Sequence, residues 1–230
     1  TMPAEVARIA KQFMSSPVEI TVGTKNSGSA TVSHEFYLVN ARDRYEALKR
    51  LADANPDIFS VVFCRTKRDT QQVAEKLIED GYSAAALHGD LSQAQRDGVM
   101  KSFRGRQIQM LVATDVAARG IDVDNVTHVV NYQLPDEIET YNHRSGRTGR
   151  AGNNGISISF CGKDEEVYWK DILKLIKVDV KVIKEHPYPW KDKEVNPEAK
   201  PDFRNKNKSK KSRGNYFRLF KKLYRSARIL

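Results

Sequence analysis

Three arginines and a histidine lie within eight residues of this chain, in the stretch HRSGRTGR at positions 143–150. A guanidinium group is always charged, and its planar set of donors fits phosphate oxygens in pairs. Gly146, Gly149 and Gly152 disfavour a continuous helix here and let the backbone approach a ligand closely. The spacing predicts a phosphate-binding segment. A solvated basic turn is the alternative for any such stretch of arginine and glycine.

Three other short motifs precede this octapeptide in the chain. They are FCRT at 63–66, HGDLSQAQR at 88–96 and ATDVAARGID at 113–122. Together, and in this order, the four motifs resemble those of the second RecA-like domain of the DEAD-box RNA helicases. That family consists of ATP-dependent enzymes built from two such domains. The resemblance covers about residues 1–182, and four ordered motifs argue strongly against coincidence.

The motifs of the family's first domain are missing from the chain. There is no GxxxxGK[ST] loop to hold nucleotide phosphates and no acidic box to hold magnesium. The first three residues, Thr-Met-Pro, resemble the stretch that follows the family's third motif. We therefore expect an N-terminally truncated protein with three parts: a connector with a terminal helix at 1–30, the RecA-like domain at 31–186, and a basic linker and tail at 187–230.

The resemblance implies that the octapeptide contacts ATP. The family's arginines at the positions of Arg147 and Arg150 reach the γ-phosphate across the interdomain cleft and act as arginine fingers. These two residues are therefore the predicted catalytic residues. The alternative is that they form ion pairs within the domain, with Asp115 or Asp122. Arg144, on the preceding predicted helix, is a candidate for that structural role instead.

The rest of the nucleotide site is implied by the motif at 113–122. In the family, the aspartate at the position of Asp122 accepts hydrogen bonds from the ribose, with the glycine at the position of Gly120 close by. ATP is the expected cofactor, and its Mg²⁺ would be bound through the missing first domain. We predict no metal site in this chain because its His and Cys residues lack metal-ligand spacing. His143 is predicted to be a structural hydrogen-bonding link.

RNA is the second expected ligand. Hydroxyl groups, exposed backbone amides and arginines hold phosphates without reading sequence. The candidates are Arg65, Thr66, Gly89, Arg96 and Thr114, which lie in or near the three upstream motifs. The alternative for each threonine is a helix N-cap. The alternative for Arg96 is a salt bridge along its helix, but the residues four positions away are not acidic.

Apolar runs alternate with amphipathic stretches in the rhythm of a parallel α/β sheet. This pattern agrees with the fold that the resemblance implies, a three-layer, doubly wound RecA-like domain. Loops after parallel strands line one edge of such a sheet, so the three upstream motifs are expected to face the same side. The predicted strands span 32–39, 59–64, 84–87, 109–113, 127–132, 155–160 and 178–183. The predicted helices span 3–13, 42–54, 67–80, 93–103, 137–147 and 164–176.

Charge is distributed unevenly along the 230 residues. The net charge is +10, yet residues 199–230 alone carry twelve Lys or Arg against one Asp. This composition predicts a disordered basic tail beside a nearly neutral domain. The tail either attracts polyanions such as single-stranded RNA or is only a solubilising extension. Cys64 and Cys161 each close an apolar run and are predicted to be reduced core residues. Reduced thiols indicate a cytoplasmic protein. No apolar run is long enough to span a membrane, and we expect a monomer.

The sequence thus predicts the C-terminal half of an ATP-dependent RNA helicase that remodels duplexes by closure of two domains, with this fragment inactive alone. Its partners would be RNA and the missing first domain. Two alternatives stay open: a catalytically idle RNA-binding module, and a DNA-directed helicase of the same superfamily. One departure from the resemblance is Gln133, where many relatives have aspartate. The prediction is that this substitution weakens a domain-interface contact.

Overall fold

The computed structural model describes residues 4–16, 18, 31–176, 180–183 and 185–189. Most of the predicted connector after the terminal helix and nearly all of the predicted basic tail lie outside these residues. So does the stretch at 1–3 that resembles the end of a motif.

The described chain alternates strands and helices as the sequence predicts. The strands are β1 (Val32–Leu38), β2 (Ser60–Cys64), β3 (Ala84–Leu87), β4 (Met110–Thr114), β5 (His128–Asn131), β6 (Gly155–Cys161) and β7 (Val180–Ile183). The helices are α1 (Ala4–Phe13), α2 (Arg44–Ala54), α3 (Lys67–Glu79), α4 (Gln93–Arg104), α5 (Ile138–Ser145) and α6 (Glu166–Ile176).

The seven strands form one sheet in the order β3-β4-β2-β5-β6-β1-β7, with every neighbouring pair parallel. Parallel strands require crossover connections, which place helices on the faces of the sheet. The central strands are therefore covered on both sides, and β2, β4 and β5 are buried at every position. This confirms the predicted α/β, RecA-like architecture.

Alternate residues of β2 show the two faces of the sheet. Val62 and Cys64 pack with α2 and α3, whereas Val61 and Phe63 pack with residues of α4 and of the segment 117–126. A third apolar cluster lies beneath α5 and α6 and includes Phe36 of β1. The two cysteines are buried thiols of the core, as predicted.

Several predicted boundaries change by a few residues. The largest change for function is at α5, which was predicted to span 137–147 but ends at Ser145. Arg147 and Arg150 therefore lie in the turn after the helix, where Gly149 has a φ of +66°. The predicted helices at 42–54 and 164–176 each begin with a short 3₁₀ turn before the regular helix.

The three upstream motifs leave the sheet at the same edge, as predicted. Strands β2, β3 and β4 are parallel neighbours, so their carboxyl ends lie side by side. Two of the helices that follow begin at capping residues. The hydroxyl of Thr66 accepts the backbone N–H of Asp69, and Ser92 forms the predicted capping box with Gln95.

A buried carboxylate joins elements at the same edge of the sheet. Glu165, which is 1% exposed, accepts hydrogen bonds from the backbone N–H groups of Leu134 at 3.2 Å and Gly162 at 3.0 Å. It also pairs with the buried Arg44 and, at 3.0 Å, with Arg65 Nη2. This set of donors offsets the cost of removing the charges from water.

Replacing Glu165 with glutamine should destabilise the domain strongly. The substitution leaves the charge of buried Arg44 without its partner, and breaking a buried pair in this way costs about 3–5 kcal/mol. Urea-induced unfolding of the Glu165→Gln chain would measure the loss. The control is Asp171→Asn, which breaks an exposed pair with Lys174 and should cost less than about 1 kcal/mol. Equal stabilities of the two variants would contradict this account of Glu165.

Candidate functional site

A groove lies between the segment 115–122, which follows β4, and helix α5. It encloses a cavity of about 250 Å³. Residues of both motifs line it, because the segment crosses the face of the sheet beside α5. The lining residues are Phe63, Asp115, Ala118, Arg119, Gly120, Thr140, His143, Arg144 and Arg147. The octapeptide at 143–150 and the motif at 113–122 thus form one site, although they are distant in sequence.

Arg144 fixes the geometry of this groove. Its Nε and Nη2 donate to the two carboxylate oxygens of Asp115 at 2.6 and 2.7 Å. Its Nη1 donates to the Gln133 carbonyl at 2.7 Å and to Asn131 Oδ1 at 3.2 Å, and its guanidinium lies 5.0 Å from the centre of the Phe63 ring. Arg144 is only 1% exposed. It is therefore the structural arginine of the octapeptide, the role for which the sequence made it a candidate.

Arg147 is half-buried beside the groove. Its Nη1 donates to the Ile121 carbonyl at 2.7 Å and its Nε to the His143 carbonyl at 3.1 Å. Within the described residues, no carboxylate lies within ion-pair distance of it. Burial lowers the pKa of Arg147, and the positive charge of Arg150 acts in the same direction, while Asp122 opposes them.

Arg150 pairs with Asp122, the ion pair that the sequence left open as an alternative. Arg150 Nη1 donates to Asp122 Oδ1, and Arg150 Nε donates to the Gly146 carbonyl at 2.7 Å. The pair is open to solvent, since the side chain of Asp122 is 84% exposed. Exposed pairs of this kind contribute little to stability, so a ligand can take over either partner.

The charges around the groove favour an anion. Asp115 is engaged by Arg144, which leaves Arg119, Arg147 and Arg150 against the carboxylates of Asp122 and Glu139. Burial lowers the pKa of His143, and the positive charges of Arg147 and Arg119 contribute. A polyphosphate would add negative charge next to these guanidiniums, while the exposed Asp122 carboxylate could accept hydroxyl hydrogen bonds. The donor set therefore fits a nucleotide.

The small residues of the octapeptide anchor the turn to the sheet, a role that the sequence analysis missed. Thr148 donates its hydroxyl to the Val126 carbonyl, just before β5, and Ser145 Oγ lies 3.0 Å from Ser157 Oγ. A Cβ added at Gly149 would stand 2.6 Å from a methyl group of Val32, the first residue of β1, which excludes larger residues. The available sequence signal was a hydroxyl residue directly before a glycine, at Ser145 and Thr148. The turn therefore lies near the amino ends of these strands.

A buried hydrogen bond supports α5 from below. Tyr141 Oη and His34 Nδ1 are 2.8 Å apart, and both residues are buried. Burial lowers the pKa of His34 to about 4 and raises the pKa of Tyr141 to about 12. Both side chains are therefore neutral near pH 7, which suits their position under the helix that carries the arginines.

The predicted RNA contacts lie at the carboxyl ends of the strands. Gly89 and Thr66 are exposed there, and the ion pair between Lys67 Nζ and Asp90 Oδ1 at 2.5 Å joins their two loops. Arg96 Nη2 donates to the Gly89 carbonyl at 2.9 Å, which fixes this arginine beside the loop. The structure thus brings these three candidates together.

Thr114 and Arg65 differ from the other candidates because both turn inward. Thr114 is buried, and its hydroxyl accepts the Ala117 N–H at 3.4 Å. Arg65 donates from Nε to the Leu134 carbonyl at 2.6 Å and pairs with Glu165. Its contacts stabilise the domain, and they make Arg65 the weakest of the predicted RNA contacts.

The described residues contain neither a metal-binding cluster nor a membrane-spanning helix. No group of three or more His, Cys, Asp or Glu residues in these ranges has the geometry to hold a metal ion. No helix within the same ranges combines the length and apolarity needed to cross a bilayer.

Comparison with known proteins gives a consistent result. Residues 43–152 match the model of the helicase conserved C-terminal domain. The ATP-dependent RNA helicase CshA of Limosilactobacillus reuteri is 43% identical over 180 residues, which are 77% of this chain and 36% of that protein. The chain thus spans about a third of the length of this curated relative.

Solved structures agree in fold and sequence. Dbp5 of S. cerevisiae, bound to RNA and ADP BeF₃, matches with a TM-score of 0.71 and 30% identity over 80% of this chain and 49% of that one. The C-terminal domain of the DEAD-box protein Dbp5 matches with a TM-score of 0.61 and 33% identity over 66% of this chain and 88% of that one. The chain therefore belongs to the DEAD-box RNA helicases, and its described fold is their C-terminal helicase domain.

Proposed function

We propose that this chain is the C-terminal half of an ATP-dependent RNA helicase. In this proposal, ATP lies between the groove described above and a preceding RecA-like domain. The observation that carries it is the state of Arg147, a half-buried guanidinium with backbone carbonyls as its acceptors. Backbone carbonyls carry no net charge, so this guanidinium can still bind a phosphate oxygen. The relatives named as ATP-dependent RNA helicases support the same assignment.

In this proposal the residues of the groove have different roles in binding and hydrolysing ATP. Bound ATP supplies the phosphoanhydride bond that is hydrolysed. Arg147 and Arg150 bind its terminal phosphate and stabilise the charge that develops there, while Asp122 accepts hydrogen bonds from the ribose beside Gly120. Arg144 holds the turn at the required distance through Asp115. Residues that activate water and bind Mg²⁺ would belong to the preceding domain.

The other ligand in the proposal is RNA, at the carboxyl ends of β2, β3 and β4. Its phosphates would be contacted there by Thr66, Gly89, Arg96 and Thr114. The two threonines would contribute backbone amides at the start of the turns that their hydroxyls cap. Arg65 would act through its position beside Thr66. Closure of the two domains around both ligands would bend one RNA strand and release the other. The solved complex of Dbp5 with RNA and a nucleotide supports this arrangement.

The chain of residues 1–230 alone should hydrolyse no appreciable ATP. Its sequence contains no phosphate-binding GxxxxGK[ST] loop, so half of the site is missing. Phosphate release by the purified chain, with and without RNA, checks this expectation. Turnover at the rate of a complete DEAD-box helicase would refute the division of labour proposed here.

In the full-length protein, Arg147→Ala and Arg150→Ala should each reduce ATP turnover by about 10³-fold or more. An arginine finger contributes on the order of 10³–10⁵ to the rate of phosphoryl transfer. The measurement is RNA-stimulated ATPase at saturating ATP. The matched control is Arg104→Ala, because this exposed arginine at the end of α4 is not among the residues that line the groove. If ATPase survived in both variants while RNA binding fell, the chain would be an idle RNA-binding module.

Replacing Arg96 with alanine should weaken RNA binding by about 10- to 100-fold, since a hydrogen bond to a charged group contributes about 1.5–3 kcal/mol. Fluorescence anisotropy with a single-stranded RNA at several salt concentrations is the measurement. A lost phosphate contact also lowers the slope of log affinity against log salt by about 0.7. Arg104→Ala serves again as the control. Unchanged affinity and slope would exclude Arg96 as an RNA contact. In the full-length protein, equal stimulation of the ATPase by DNA and by RNA would favour the DNA-directed alternative.

A further inference from the structure

Gln133 connects the two proposed ligand sites. It follows β5, half-buried, between the carboxyl end of β2 and the start of α5. Its side chain points to the proposed RNA side: Oε1 accepts the backbone N–H of Arg65 at 2.8 Å, and Nε2 donates to Asp69 Oδ2 at 3.1 Å. Its backbone carbonyl accepts Arg144 Nη1 at 2.7 Å. One residue therefore touches both motifs.

The side-chain contact replaces a missing backbone partner. The ladder between β2 and β5 ends at the pair Phe63 and Asn131, after which the two chains diverge. The N–H of Arg65 would then lack the strand acceptor that the ladder gave earlier residues, and an unpaired backbone donor is costly. The amide oxygen of Gln133 supplies the acceptor. It thereby fixes the turn at Arg65 and Thr66.

The amide nitrogen of Gln133 fixes the start of α3 in the same way. Its acceptor, Asp69, lies in the first turn of that helix, and the N–H of Asp69 donates to the capping hydroxyl of Thr66. A movement of Thr66 on binding RNA would therefore reach Gln133 through two hydrogen bonds. At its other end, Gln133 touches the arginine that clamps Asp115 and lies three residues before Arg147.

We infer that Gln133 is a positioning residue that couples RNA binding at Thr66 to the position of the turn after α5, which carries Arg147 and Arg150. The inference rests on the proposed function, because it assigns a role between the two sites named there. The sequence-based interpretation of Gln133 as a weakened domain-interface contact stays a prediction, and the contacts described here lie within the domain.

The pair of Gln133 and Asp69 allows a direct test. Gln133→Glu keeps an oxygen for the N–H of Arg65 but sets a carboxylate against the carboxylate of Asp69, so the start of α3 is repelled. Adding Asp69→Asn in the same protein places an amide donor opposite the new carboxylate and removes the repulsion. Ile58→Val, in the buried cluster beside α2 and before the amino end of β2, is the control for a loss of stability without a change in this linkage.

The quantity to measure in the full-length protein is the factor by which saturating RNA lowers the KM for ATP. Coupling between two sites commonly amounts to about 5–150-fold, and a like-charge contact of about 1 kcal/mol removes about fivefold of it. We expect Gln133→Glu to reduce the factor about fivefold and the double variant to restore it. For Gln133→Glu, a factor equal to that of wild type or of Ile58→Val would overturn the inference. So would a factor that the double variant fails to restore.

Amide hydrogen exchange in the 230-residue chain tests the same linkage without catalysis. In Gln133→Glu, amides around Arg65 and amides of the turn 146–148 should lose protection together and recover together in the double variant. Faster exchange confined to the amides around Arg65 would contradict the linkage. A wild-type full-length protein without RNA-dependent ATPase would instead contradict the proposed function, so the two failures are distinguishable.

Discussion

The pair between the buried Arg144 and the half-buried Asp115 is the contact on which the geometry of the groove depends. It joins the end of β4 to α5, two elements that are not neighbours in the chain, and both of its parallel hydrogen bonds are short. A buried guanidinium is costly unless its donors are used. Here Nε, Nη1 and Nη2 all have acceptors, and the ring of Phe63 lies against the guanidinium. The turn that carries Arg147 and Arg150 therefore starts from a fixed point.

Burial separates the three arginines of the octapeptide into two roles. Arg144 is desolvated and held by four hydrogen bonds, so its role is structural. Arg147 and Arg150 remain partly accessible, and their acceptors are backbone carbonyls and one exposed carboxylate. Contacts of that kind can be exchanged for a phosphate at small cost, because neither side was fully desolvated. The same side-chain type thus serves as scaffold or as ligand contact according to its depth in the fold.

Much of the fold could be predicted from sequence because it depends on local patterns. Apolar runs gave the strands, and the capping residues Thr66 and Ser92 gave the starts of α3 and α4. The end of α5 was predicted too late. The hydroxyl residues next to glycines in the octapeptide did not specify that Thr148 would donate to a carbonyl near β5 and so turn the chain. Contacts between residues 22 positions apart leave no periodic trace, so only the three-dimensional structure reveals them.

The residue types of the candidate site could be predicted, but the hydrogen bonds and ion pairs between its side chains could not. The motifs identified which guanidiniums and turns matter, and the resemblance implied which ligand each would meet. They could not show that Glu165 would draw Arg65 inward or that Gln133 would bridge Arg65 and Asp69. These links depend on which side chains meet where two parallel strands diverge, and that is decided by register.

The position of Gln133 also explains why an amide suits this chain. The two proposed sites lie apart, one at the carboxyl ends of β2 to β4 and the other beside the turn after α5. The segment from β5 to α5 can connect them because it touches both. A carboxylate at position 133 could accept the N–H of Arg65, but it would repel Asp69, whereas the amide satisfies a donor and an acceptor together. The identity of residue 133 is therefore constrained by residue 69, and the two should be considered as one unit in this domain.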